Sequence, residues 1–107
     1  MTINLRKSDA KEPFSFIFVN AEGKTIVKSE NYAQKASAKN GIESVKKNCQ
    51  DDDRYELKES SNGKPFFNIK STNGQIVGTS ALFSNETERS AAIAELKANS
   101  TDAEVSE

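Results

Sequence analysis

From Tyr55 onward the chain alternates apolar and polar residues over short stretches, then switches to helical spacing. Tyr55 and Leu57 alternate with charged neighbours, Phe67 and Ile69 alternate with Asn68 and Lys70, and Gln75 to Ser80 forms a third short run. Ser61-Asn62-Gly63-Lys64 and Asn73-Gly74 separate these runs. Their Asn-Gly pairs predict type I′ hairpin turns, because Asn tolerates positive φ and Gly accepts it freely. Three strands in a meander follow, then a helix over about Glu86 to Asn99 with Ala92, Ile93 and Leu96 on its apolar side. The first half has the same plan. Strands are predicted at Ile3 to Lys7, Phe14 to Asn20 and Lys24 to Glu30, and a helix at about Gln34 to Asn48 carries Ala38, Gly41, Ile42, Val45 and Cys49 as its stripe. The first half's turns, Asp9 to Glu12 and Ala21-Glu22-Gly23, have weaker signals.

The similarity of the halves is a duplication. At an offset of 51, Phe16 falls on Phe67, Gly23 on Gly74, Ser29 on Ser80, Ile42 on Ile93, Lys46 on Lys97 and Asn48 on Asn99. Tyr32 matches Phe83, and both read as core anchors. Upstream the offset becomes 52, which a one-residue difference in a turn explains. Gly41 falls on Ala92, marking a close approach of helix to sheet. Asn85 followed by Glu88 resembles a capping box, whereas Ala33-Gln34 gives the first helix no comparable cap, so its first turn should fray more. One copy of about 50 residues would be marginal alone. The expected domain is therefore residues 1–107 as a whole, with repeat one at 1–50 and repeat two at 51–107 sharing a core. Duplication then replaces a symmetric dimer, and the expected state is a monomer with an internal pseudo-two-fold axis.

The segments Asn40 to Asn48, Arg54 to Lys58 through Ser61 to Lys64, and Phe67 to Gly78 resemble the YegP-like family of small bacterial tandem-repeat proteins of unknown function. The likeness spans nearly the whole chain and rests on the order of strand, Asn-Gly turn, strand, aromatic residue and helix in both copies. It implies an α+β fold of two tandem β-β-β-α-β repeats with exchanged terminal strands. These would form one barrel-like antiparallel sheet with two packed helices. Arg54 to Ser60 and a short strand near Asp102 to Val105 would be the exchanged elements. The chain departs from the family at Ala33-Gln34, where small hydroxylated caps are usual, and at Ala91-Ala92, which replaces an Asn-Gly-like pair. The resemblance implies no catalytic residue.

Composition narrows the chemistry. With no His among 107 residues, the chain lacks the commonest general base and metal ligand, which excludes Ser-His and Cys-His catalysis and histidine-bearing zinc sites. A single cysteine, Cys49, forms no internal disulfide, and burial as a small hydrophobe is its expected role. With no signal-like leader and no run near the roughly 20 apolar residues that span a bilayer, the expected location is the cytoplasm, away from membranes. Asp51-Asp52-Asp53 is the most conspicuous acidic cluster. Read as a calcium loop it has Glu56 where Gly belongs and Asn62 where Glu belongs, so no metal or other cofactor is expected.

Net charge is −1, but residues 1–50 carry +4 and residues 51–107 carry −5. Lys35, Lys39 and Lys46 fall on one flank of the first helix and Lys47 on another, and Glu43 is spaced to pair with Lys39 and Lys47. The leading reading is a non-enzymatic module that binds a protein or small ligand on the shared sheet or along a pseudo-symmetric groove. The alternative is weak nucleic-acid binding through Lys35, Lys39, Lys46 and Lys47 as the candidate interaction surface. An acidic pI of about 5.6 and aromatics in core registers count against it. An enzyme using only carboxylates and lysines has no sequence support.

Overall fold

A computed structural model describes residues 1–107. The first meander consists of β1 (Thr2–Lys7), β2 (Phe14–Val19) and β3 (Thr25–Lys28), followed by α1 (Lys35–Asn48). A single 3₁₀ turn, Asp52–Arg54, leads into the second meander of β4 (Tyr55–Glu59), β5 (Pro65–Lys70) and β6 (Ile76–Ser80). Helix α2 (Glu86–Asn99) and a short final strand, β7 (Glu104–Ser106), complete the chain.

The turns differ from the type I′ expectation, since only glycines have positive φ. Gly63 and Gly74 sit at +77° and +83°, and each donates its N–H to the carbonyl three residues back, Ser60 and Ser71. This is a type I turn followed by a left-handed glycine, so Asn62 and Asn73 need no positive φ. The Asn20–Gly23 turn closes in the same way without an Asn-Gly pair, its Asn20 Oδ1 accepting from the N–H groups of Glu22 and Lys24. Between β1 and β2 the loop runs from Ser8 N–H to the Pro13 carbonyl, and between β4 and β5 from Ser60 N–H to the Lys64 carbonyl. That extra residue is the slip in the repeat offset.

All seven strands form one sheet in the order β4-β5-β6-β3-β2-β1-β7. Its pairings are antiparallel except β1 with β7, which run parallel, so the sheet is mixed. It also stays open, with β4 and β7 as edges, and is not a closed barrel. Arg54 to Ser60 supplies the opening strand of the second meander, paired with β5. The chain between α1 and β4 is too short to add a separate strand there. After α2 no further meander follows, and β7 crosses to β1 of the first copy.

Along the strands the alternation places Ile3, Leu5, Phe16, Phe18, Val27, Phe67 and Ile69 on one face, all buried. Ala38, Ile42 and Val45 of α1 and Ala92 and Leu96 of α2 join them in a single core, so both helices cover the same face of the sheet. The repeated identities have matching tasks. Ser29 and Ser80 each accept the N–H of the buried phenylalanine of the neighbouring strand, Phe16 at 2.8 Å and Phe67 at 2.9 Å. Asn48 and Asn99 each donate to the carbonyl one helical turn back, those of Ser44 and Glu95.

Candidate functional site

With both helices on one face, the other face of the sheet has no covering layer. A row of paired residues crosses it from β1 to β4: Asn4, Ile17, Lys28, Thr79, Asn68 and Glu56. At the β4 end the polar groups satisfy one another. Thr79 donates to Asn68 at 2.8 Å, Asn68 donates to Glu56 at 3.0 Å, and Lys70 pairs with Glu56 at 2.8 Å. Lys70 first, then Asn68, holds the Glu56 carboxyl below the usual range. At the other end Arg6 and Lys28 flank a depression of 320 Å³ that Ile17, Thr25, Ser80 and Ala81 help to line. Neither cation has a carboxylate partner within the chain.

Lys28 is also at a special place in the duplication. It pairs directly with Thr79, the residue 51 positions later, across the β3–β6 joint. On the helix side Cys49 meets Ser100, again 51 positions later, with Sγ and Oγ 3.1 Å apart. Both pairs therefore join matching positions of the two copies. Cys49 is fully buried, and that burial raises its thiol pKa despite its hydrogen bonds with Ser100 and Gln50.

Two grooves lie where the helix of one copy faces the hairpin turn of the other. Asn40, Ser44 and Lys47 of α1 face Ser71 and Thr72, and Ala91, Ala92 and Glu95 of α2 face Asn20 and Glu22. No hydrophobic residue lines the first.

The four lysines of α1 do not gather into one surface. Lys35 and Lys39 both pair with Glu107, Lys39 at 3.5 Å, so the acidic tail lies against the helix. Lys46 is only 17% exposed, donates to the Ala103 carbonyl at 3.2 Å, and pairs with Glu43 at 4.0 Å. Glu43 therefore pairs at i+3, and not with Lys39 or Lys47 as its spacing predicts. Lys47 lines the polar groove on a different flank. In the acidic cluster, Asp51 accepts the Asp53 N–H and Asp52 pairs with Lys97.

Sequence reasoning missed Arg89. It is 9% exposed under α2 and donates to the Lys58 carbonyl at 3.2 Å. The available signal was its alignment with Ala38, a core position of the first copy.

This architecture has relatives. Residues 9–56 match the profile described as "Domain of unknown function (DUF1508)", and residues 60–107 match it again. The chain belongs to this YegP-like DUF1508 family. The UPF0339 protein YegP of Escherichia coli O157:H7 is 44% identical over 96 residues, spanning 90% of this chain and 86% of its own. UPF0339 protein ACIAD0721 of Acinetobacter baylyi is 44% identical over 99 residues, with 92% and 89% covered. The solution NMR structure of UPF0339 protein SO3888 from Shewanella oneidensis superposes with a TM-score of 0.89 at 36% identity, over 97% of this chain and 87% of that one. The solution NMR structure of YegP from E. coli gives 0.88 at 41% identity, with 97% and 89% covered. These relatives are bacterial, YegP of E. coli is described as a protein of unknown function, and the two solved structures share the α+β architecture of one sheet and two helices.

Proposed function

We propose that this chain is a non-enzymatic cytoplasmic binding module, one domain of two pseudo-symmetric repeats with a terminal strand exchanged, which receives an acidic segment of a partner protein on its uncovered sheet face. The observation that carries this reading is the unpaired state of Arg6 and Lys28, both exposed beside a depression, on a face where Glu56, Asn68, Lys70 and Thr79 already satisfy one another. Two cations over half-buried Ile17 suit a carboxylate-bearing chain whose apolar parts rest on the sheet. The nucleic-acid alternative loses support from Glu107, which neutralises Lys35 and Lys39, and from the engagement of Lys46. No helix is long and apolar enough to cross a membrane.

Fluorescence anisotropy with a labelled oligoglutamate peptide tests the reading. Saturable binding at low salt should weaken several-fold in Arg6→Gln or Lys28→Gln, vanish in the double variant and persist in Lys35→Gln/Lys39→Gln. Absence of binding at low salt, or sensitivity to the helix lysines alone, would contradict it.

A further inference from the structure

The edge strand β4 is complementary to itself. We infer that it forms an interface with a second copy of this chain, strand beside antiparallel strand, with the two-fold axis at Leu57.

Backbone geometry supplies the first part of the argument. The Phe67 N–H donates to Ser80 Oγ, toward β6. Leu57, directly opposite Phe67 on β4, is therefore in a wide pair, and its own N–H and C=O point out of the sheet. By the same alternation the Tyr55 carbonyl and the Glu59 N–H also point outward. An antiparallel second copy centred on Leu57 joins Leu57 to Leu57 through two hydrogen bonds, and the Glu59 N–H of each chain to the Tyr55 carbonyl of the other.

Charge selects this register. Centred on Leu57, each Glu56 faces a Lys58 of the other chain and each Lys58 faces a Glu56. Shifting the centre one residue either way also brings outward-pointing backbone groups together, but stacks Glu56 on Glu56 or Lys58 on Lys58. A parallel in-register pairing stacks both. Leu57 supplies the apolar contact, being 56% exposed on the side of the sheet where the residues of the inner strands are buried. Arg89 reaches Lys58, but its bond goes to a carbonyl that points inward, toward β5, so it leaves the outer edge free. The opposite edge, β7, is only three residues long and is followed by Glu107, which pairs with Lys35 and Lys39 of α1. Pairing β4 with β4 closes at two chains and gives a continuous sheet of twice the width. With one short strand from each copy, the contact is in the small, transient class of interfaces.

Sedimentation velocity of the full chain over micromolar to millimolar concentration tests the interface. The sedimentation coefficient of the wild type should rise with concentration. Lys58→Glu alone and Glu56→Lys alone should each weaken association by roughly an order of magnitude, because two attractive pairs become repulsive. An equimolar mixture of these two variants should recover it, since their charges again complement one another. Leu57→Lys should abolish association, and an unchanged far-UV circular dichroism spectrum would show that each variant is folded. A wild type that stays monomeric at millimolar concentration, a mixture that fails to recover, or a dimer that survives Leu57→Lys would overturn the inference.

Discussion

Tyr32 and Phe83 occupy the same position in the two copies, and the difference between them explains a second difference. Tyr32 stacks on Phe16 with ring centres 6.2 Å apart and planes 11° from parallel, and Phe83 stacks on Phe67 at 6.2 Å and 10°. A Cβ placed on Gly41 would lie 2.5 Å from the Tyr32 hydroxyl and 3.0 Å from Phe16 Cε2. In the second copy Phe83 has no hydroxyl, and the matching helix position carries Ala92. Glycine goes with tyrosine and alanine with phenylalanine because hydroxyl and methyl compete for one space. Gly41→Ala should therefore destabilise the protein by about 1–3 kcal/mol through overpacking, even though alanine favours a helix. Adding Tyr32→Phe should recover most of that loss in urea unfolding. Additive effects of the two changes in a double-mutant cycle would contradict this account. The alignment of Gly41 with Ala92 made a close approach legible in the sequence. The group approached was not, because the contact joins a helix to a residue that precedes it.

The helices were legible as elements down to their ends. Asn85 caps α2 by accepting the Glu88 N–H at 2.9 Å, and the Glu88 carboxylate reaches back to the Ser84 N–H at 3.0 Å, one residue beyond the usual partner. Gln34 precedes α1 in the extended conformation of a cap, at φ −125° and ψ 146°, and makes no side-chain bond. Since its backbone is already placed, Gln34→Asp should stabilise by about 1 kcal/mol, and Asn85→Ala should destabilise by a similar amount. Thermal or urea unfolding of the two variants checks both; a neutral Gln34→Asp would show that the first turn of α1 is held by other contacts. Strand β7 was harder to read. Its parallel pairing with β1 joins opposite ends of the chain and leaves no turn signal between them. Only the family resemblance pointed to a strand there, and it left the direction wrong. The turn types were misread because Asn-Gly fits two hairpin geometries, and only the backbone decides between them.

At the scale of the whole molecule, the duplication settles which surface is left free. Strands β3 and β6 join through Val27 with Ser80 and Lys28 with Thr79, so the two meanders continue into one sheet. The helices then share one face, and the other keeps its polar row. Two ladder pairs between segments about 50 residues apart carry no local signature, which is why the repeat was legible and the sheet order was not. Charge read along the sequence was misleading for a related reason. The first half carries +4 and the second −5, yet the tail folds back to put Glu107 against Lys35 and Lys39. Two of the cations without a carboxylate partner, Arg6 and Lys28, are separated in sequence and only converge on the folded sheet, where they line one depression.

The most direct test of that surface is an amide-resolved NMR titration of isotope-labelled protein with an acidic oligopeptide. The predicted result is a set of shift changes confined to the uncovered face, at Arg6, Ile17, Lys28 and Thr79, with α1 unmoved. Changes centred on Lys35, Lys39 and Lys47, with the sheet face silent, would contradict the account.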